Sequence, residues 1–125
     1  RRFYERHYTK VDPKHFEPIV DGMWRGVNVG GTSTAARLEG LDVCGKTGTA
    51  ENPRGRDHST FLSFAPKDNP KIAISVYVEN GGFGASAALP IASLLEAYYL
   101  TDTIRRPALL EHIKNMNIYY PSYDR

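Results

Sequence analysis

Apolar residues in the first quarter of the chain recur at the spacing of an α-helix. From Phe16 they fall three, four, seven, eight and eleven positions further on, which places them on one helical face. Pro18 suits the first helical turn, where a missing N–H leaves no bond unmade. Gly30-Gly31 ends the pattern. The sequence predicts an amphipathic helix here and a short helical turn at Ser33–Leu38. The apolar face consists of Phe16, Ile19, Val20, Met23, Trp24 and Val27.

Three β-strands follow in the pattern. The segments Leu41–Glu51, Ser59–Ala65 and Ile72–Glu79 are rich in β-branched and aromatic residues, and the last alternates apolar residues on one face. Turn-forming residues at 52–55 and 66–70 separate them. Because these links are short, we expect an antiparallel meander.

A long helix is predicted after the third strand. The Gly-rich segment Asn80–Gly84 introduces it, and it runs from about Ala85 to Leu100. It is apolar on nearly all sides, which is typical of a helix buried against a sheet. Pro107–Met116 predicts a last short helix. The fold class is therefore α+β, a three-stranded antiparallel meander covered by helices.

Composition narrows the function. The chain has 125 residues and a formal charge of +2, with Lys and Arg scattered along it. A nucleic-acid-binding surface would cluster these cations, so we expect no nucleic-acid partner. No stretch is apolar for the length that a membrane-spanning helix needs. The single cysteine, Cys44, lies in an apolar run and is expected to be a buried, inert thiol. No spacing predicts a metal site, and we expect no cofactor.

Two motifs share Lys46. The run Gly40–Thr47 fits the letters of a phosphate-binding loop, G-x-x-x-x-G-K-T. Such a loop must follow a strand and open a helix. Residues 33–39 are not strand-like, and residues 48–55 contain glycines and a proline that disfavour a helix. A nucleotide-binding protein is therefore the least favoured of the alternatives.

The second motif is Lys46-Thr47-Gly48-Thr49-Ala50 on the first strand of the meander. Lys-Thr-Gly is a signature of β-lactamases and penicillin-binding proteins. Phe64-Ala65-Pro66, Val78–Gly82 and Ala87–Ala92 also resemble stretches of that family. The chain is thus similar to the C-terminal part of a transpeptidase domain of a class B penicillin-binding protein, most like the elongation type, penicillin-binding protein 2.

This resemblance implies a β-lactamase/transpeptidase-like fold and a serine acyltransferase. The enzyme would cross-link peptidoglycan stem peptides ending in D-Ala-D-Ala and would be trapped by β-lactams. Lys46 would present a positive charge to the substrate carboxylate, and the Thr47 and Thr49 hydroxyls would bind it. The Thr49 N–H would supply half of the oxyanion hole. Gly48 would let the substrate lie along the strand edge.

The rest of that catalytic machinery is not in the sequence. No serine is followed by Lys three residues later, or by Asn two residues later. The chain also lacks an initiating Met and a signal peptide. We expect a fragment that is inactive alone, with residues 1–12 as a connecting segment, 13–103 as transpeptidase domain and 104–125 as a tail. The alternative of a different class is a non-catalytic binding module of the same fold.

The resemblance also implies partners and a location for the parent protein. It would be anchored at the periplasmic face of the bacterial inner membrane and act with the cell-wall elongation machinery. In the family, a strand from elsewhere in the domain lies beside the one that matches Ile72–Glu79. We therefore expect this edge either to drive self-association or to be covered by segment 1–12 or 117–125.

Overall fold

The computed structural model of the protein describes residue 5 and residues 7–118. Within this part, three α-helices and three β-strands follow in the order α1, β1, β2, β3, α2 and α3. Short 3-10 turns lie at Pro13–His15 and Thr34–Ala36. The predicted α+β class, a three-stranded meander covered by helices, is confirmed. The bounds are α1 Phe16–Asn28, β1 Cys44–Ala50, β2 His58–Ala65, β3 Ile72–Val78, α2 Ala88–Thr101 and α3 Pro107–Lys114.

The strands form one antiparallel sheet in the order β1-β2-β3. Thr49 lies opposite Ser59, and Lys46 lies opposite Leu62. Since side chains alternate along a strand, one face of the sheet carries Thr49, Ser59 and Phe61, and the other carries Lys46 and Leu62. Helix α2 packs against β2 and β3 on the first face, which we call the helix face. The second, which we call the open face, exposes about half of Leu62 and Tyr77.

Strand β1 begins at Cys44, three residues later than the predicted Leu41. The cause is a tight turn, in which the Leu41 N–H donates to the Leu38 carbonyl at 3.1 Å and Gly40 adopts a positive φ of 76°. The chain therefore enters the sheet only after the turn is complete. The other two strands lie within one residue of their predicted bounds.

Helix α1 is confirmed, but only its C-terminal half is well covered. Val27 is fully buried against the sheet, whereas Phe16 and Ile19 are 43% and 59% exposed. A close approach fixes this end of the helix. A Cβ on Gly45 would lie 2.5 Å from the Phe61 ring and 3.2 Å from a Val27 methyl group. Glycine at position 45 thus leaves room for the largest side chain of the core.

Helix α2 is buried against the sheet as expected, but on one side only. Leu95, Tyr98 and Tyr99 are 49–63% exposed, while Ser93 and Glu96 are fully buried. Most of the buried residues of α2 are small, with Leu89 and Glu96 as the large exceptions, and small residues let the helix axis approach the strands closely. Ala88, Ala92, Ser93 and Ala97 form this small-residue face.

Glu96 is the buried acid that this orientation creates. The Ser63 hydroxyl lies 3.2 Å from Glu96 Oε2 and donates to it. The other carboxylate oxygen, Oε1, has no hydrogen-bond partner among the residues that the structure describes. Burial raises the pKa of Glu96 to about 7, and the bond from Ser63 opposes this rise only in part. At neutral pH the carboxyl group is thus poised between its two protonation states.

The outer edge of β3 is unpaired within the described residues. Residues 7–12 form no strand and do not pair with this edge, so the described part of segment 1–12 adds no strand to the sheet. Residues 1–4, 6 and 119–125 lie outside the described residues.

The predicted last helix is present as α3, and the Arg106 guanidinium before it donates to the Ala35 carbonyl at 2.9 Å and to Ser93 Oγ at 3.1 Å.

We predict that Glu96 makes the fold less stable as the pH rises. Folding raises its pKa from 4.5 to about 7, so the folded state keeps a proton that the unfolded state releases between these values. The free energy of unfolding should fall across this range, by on the order of 3 kcal/mol at most, and then level off. Urea unfolding between pH 4.5 and 8 measures this change.

Glu96→Gln should remove this slope and stabilise the fold above pH 7, because the amide carries no charge to bury. The control is Glu111→Gln on α3, where the carboxylate is exposed and pairs with Lys114 at 2.9 Å. The same pH slope in both variants would contradict the assignment.

Candidate active-site strand

The predicted site residues lie in the middle of β1. Lys46 is exposed on the open face, and its Nζ donates to the Thr47 carbonyl at 2.6 Å. Thr47 and Thr49 lie on the helix face. The structure thus places the Thr47 and Thr49 hydroxyls on the same face of the sheet and the Lys46 ammonium group on the opposite face. Gly48 lies between the two threonines in the strand. All of these groups border the edge of β1 that faces away from β2.

This edge has no strand partner in the part of the chain that the structure describes. Helix α1 packs against the beginning of β1, and the Asn28 side chain donates to the Val43 carbonyl at 3.0 Å. Further along, the Thr32 and Thr47 hydroxyls are 3.3 Å apart. An extended peptide therefore has access to the backbone of residues 46–49, which is the geometry used when a ligand adds a strand to a sheet.

Gly84 supports this part of β1 from behind. A Cβ at position 84 would lie 2.5 Å from the Gly48 carbonyl oxygen, 2.9 Å from the Gly48 nitrogen and 2.6 Å from the Thr60 carbonyl oxygen. Gly48 and Thr60 are paired across β1 and β2. Gly84 therefore lies directly on the backbone of this pair, and any side chain at position 84 would push the two apart.

Three consecutive residues at the start of β2 hold the Gly-rich loop 80–84 in place, and we call them the loop clamp: Asp57, His58 and Ser59. The Asp57 carbonyl accepts from the Gly82 N–H at 2.8 Å. His58 Nδ1 accepts from the Asn80 N–H at 3.0 Å. The Ser59 hydroxyl contacts the Phe83 carbonyl at 2.9 Å. The clamp fixes the loop along its whole length.

The β1–β2 turn joins the same network through Asn52. Its N–H donates to Asp57 Oδ1 at 3.1 Å, and its side-chain nitrogen donates to Asn80 Oδ1 at 3.1 Å. Its side-chain oxygen accepts from the Arg54 N–H at 3.0 Å, which closes a local turn. The turn, the loop and the strand that carries Thr49 thus form one hydrogen-bonded unit.

Sequence reasoning found the strand but missed this support. His58 carries no motif in the sequence, and the structure places it half-buried in β2. Since a backbone N–H can only donate, the contact from Asn80 requires an unprotonated Nδ1 on His58. Ser59 and Gly84 carried no motif of their own. The Asn80-Gly81-Gly82 run indicated a turn but not what it would contact.

The phosphate-loop interpretation of Gly40–Thr47 does not fit the backbone. Gly45, Lys46 and Thr47 lie inside β1, and the chain continues as a strand to Ala50. A phosphate-binding loop instead opens a helix at this point.

Cys44, the first residue of β1, is fully buried, and burial raises the pKa of its thiol to about 11, so the thiol stays neutral. The predicted burial of this thiol is confirmed.

Two absences hold for the residues that the structure describes. No group of three or more His, Cys, Asp and Glu side chains is placed to hold a metal ion. No helix in this part has the length and apolar character needed to cross a membrane.

The fold and the site define a class. A three-stranded antiparallel sheet packed against helix α2, with Lys-Thr-Gly-Thr on its edge strand β1, is typical of the fold class of penicillin-binding proteins and β-lactamases. The model of the penicillin-binding protein transpeptidase domain matches residues 4–95. The chain therefore belongs to the penicillin-binding protein transpeptidase family, and within it to the type of penicillin-binding protein 2.

Relatives with curated names agree. The chain is 36% identical over 106 residues to peptidoglycan D,D-transpeptidase MrdA of Haemophilus influenzae, which covers 71% of this chain and 16% of that protein. Over 87 residues it is 34% identical to peptidoglycan D,D-transpeptidase PbpA of Mycolicibacterium smegmatis, with 66% of this chain and 17% of that protein covered. The chain thus spans less than a fifth of these relatives.

Solved structures of penicillin-binding proteins have a similar fold. The crystal structure of Pseudomonas aeruginosa PBP2 in complex with WCK 5153 matches with a TM-score of 0.66 and 35% identity, over 76% of this chain and 21% of that one. An imipenem acyl-enzyme complex of penicillin-binding protein A from M. tuberculosis matches with a TM-score of 0.60 and 29% identity, over 74% of this chain and 21% of that one. The predicted relation to penicillin-binding protein 2 is confirmed.

We predict that Gly84→Ala destabilises the fold by about 1–3 kcal/mol, because its Cβ overlaps backbone atoms that cannot rotate away. Thermal or urea unfolding measures the loss. Gly22→Ala on exposed α1 is the matched control, since a Cβ there meets nothing within 4 Å. It should stabilise the fold by about 0.5–1 kcal/mol. Equal effects of the two substitutions would show that the Gly84 contact is loose.

Proposed function

We propose that this chain is part of a peptidoglycan D,D-transpeptidase and forms one wall of its active site. The observation that carries the proposal is Lys46-Thr47-Gly48-Thr49 on an accessible edge strand, held from behind by Gly84. The whole enzyme would cross-link stem peptides ending in D-Ala-D-Ala through a serine acyl-enzyme. β-Lactams would bind to the same edge and acylate the same serine.

In this proposal, the substrate lies along the free edge of β1 as an added strand. Lys46 supplies a positive charge for the substrate carboxylate, and Thr47 and Thr49 donate hydrogen bonds to it. The Thr49 N–H donates to the carbonyl oxygen as negative charge develops on it. One such donor lowers the barrier by about 3 kcal/mol. Gly48 keeps the strand surface free for the substrate backbone.

The nucleophilic serine and its base lie outside this chain in the proposal. None of its serines is followed by Lys three residues later, which is the spacing of the acylated serine in this family. We further propose that residues 13–103 are the transpeptidase part, with 1–12 as a connection and 104–125 as a tail. The parent enzyme would be anchored at the periplasmic face of the inner membrane and work with the elongation machinery.

The test is acylation by a labelled penicillin, followed by intact mass. We predict no adduct on this chain and one adduct on the longer protein that contains it. In the longer protein, Lys46→Ala should lower the acylation rate constant by about 10- to 100-fold, the worth of a charged hydrogen bond. Its melting temperature should not change, because Lys46 is exposed.

Lys114→Ala on α3 is the control, since this lysine is also exposed and makes one surface ion pair. An adduct on a serine of the isolated chain would contradict the assignment of the nucleophile. Unchanged acylation in Lys46→Ala, with unchanged melting, would leave Lys46 as an ordinary surface residue. No acylation of the longer protein at all would favour the binding module.

We also propose that the isolated chain self-associates through its residues Ile72–Glu79. The outer edge of β3 is unpaired in the described part, and the strand contains no proline or lysine that would block pairing. Light scattering should detect oligomers. Ser75→Lys places a charge on this edge and should give monomers, whereas Ser86→Lys, also exposed but before α2, should not. A monomeric unmodified chain would contradict this proposal.

A further inference from the structure

The Thr49 hydroxyl is constrained by its neighbour Gly84. The Gly84 N–H points at Thr49 Oγ1 at 3.4 Å. A backbone N–H can only donate, so this contact uses a lone pair of the hydroxyl oxygen. The hydroxyl proton is then left to point elsewhere. Because Thr49 is exposed on an edge strand, its proton is free to donate to an anionic ligand lying along that edge.

Gly84 itself is held by Ser59. The Ser59 hydroxyl oxygen lies 2.9 Å from the Phe83 carbonyl and 3.2 Å from the Gly84 carbonyl, and it accepts from the Ala88 N–H at 2.9 Å. One hydroxyl thus connects the loop, the first residue of α2 and β2. Ser59 is fully buried, so no water competes for these bonds.

The position of Ser59 in the sheet links its hydrogen bonds to Thr49. Ser59 is the cross-strand partner of Thr49, with both side chains on the helix face. Gly84 lies between them, against the backbone of Gly48 and Thr60. A Cβ on Gly81 would come within 2.9 Å of the Ser59 Cβ, so Gly81 packs closely against Ser59 and position 81 has no room for a side chain. Ser59 therefore acts on Thr49 through one rigid intermediate.

We propose that Ser59 is a positioning residue, which holds the Gly84 N–H against Thr49 Oγ1 and thereby sets the Thr49 hydroxyl as a donor to the substrate carboxylate. This inference rests on the proposed transpeptidase function. Ser59 touches no substrate in it. Its effect should therefore appear only with ligands that carry the carboxylate, and only when the Thr49 hydroxyl is present.

The experiment compares two acylating probes on the longer protein: a penicillin, and the methyl ester of the same penicillin. Ser59→Ala should lower the acylation rate constant about tenfold for the free acid and less than about twofold for the ester, since only the acid accepts the charged hydrogen bond. Ser63→Ala is the matched control. It lies on the same strand and face but bonds to Glu96, so it should affect both probes equally.

A second arm uses Thr49→Val, which removes the hydroxyl. In that background, Ser59→Ala should have no further effect on either probe, as expected for two residues acting through one bond. If Ser59→Ala does not fold, Ser59→Cys replaces it, because the thiol has a similar shape but is a weak donor and acceptor.

The outcomes separate the two proposals. If the unmodified protein is not acylated by the penicillin at all, the transpeptidase function is wrong. If it is acylated, and Ser59→Ala slows the acid and the ester by the same factor, Ser59 has only a structural role and the inference is overturned. An additional loss from Ser59→Ala in the Thr49→Val background would also overturn it.

Discussion

The contact of Gly84 with the backbone of Gly48 and Thr60 is the constraint on which the site depends. It joins the Gly-rich loop to the middle of the edge strand without any side chain between them. Such a contact has almost no freedom to adjust, because backbone atoms cannot move to another rotamer. The position of residues 48–49 is therefore set by the loop, and the loop is set by the clamp at Asp57–Ser59.

Helix α2 shows the same reliance on small residues. Its sheet-facing side consists mainly of alanine and serine, so the helix lies close to β2 and β3, and the Ala88 N–H at its start reaches the Ser59 hydroxyl. The close approach also encloses Glu96, whose carboxyl group has Ser63 as its one hydrogen-bond partner within residues 7–118. A buried acid with one unmade hydrogen bond lowers stability when it ionises. The packing that brings α2 onto the loop clamp thus also makes the stability of the fold depend on pH, through the ionisation of Glu96.

Most of the fold could be predicted from the sequence, because periodicity reports which side of an element is apolar. The six apolar positions of α1 and the alternation in β3 located those elements to within a residue or two. The orientation of α2 could not be predicted this way, since a helix that is apolar on all sides has no preferred face. The packing distance between α2 and the sheet decided its orientation, and this distance depends on the sizes of the facing residues on α2, β2 and β3. The strand with Lys46 carried its own motif, but Ser59 and Gly84 act through contacts with partners about 25 to 35 residues away, which local pattern does not encode.

A substrate-binding edge strand faces two opposed requirements. Its outer N–H and C=O groups must stay free to bind an extended ligand, so no further strand can pair there and stiffen it. Yet an oxyanion-hole donor is effective only if it does not have to reorganise during the reaction. In this protein the strand is stiffened from one face instead. Gly84 presses on the backbone of the Gly48–Thr60 pair, so the Gly-rich loop and β2 hold β1 through backbone atoms alone. The edge therefore stays open while its backbone is fixed, and the stiffness of the proposed catalytic strand originates in the strand behind it.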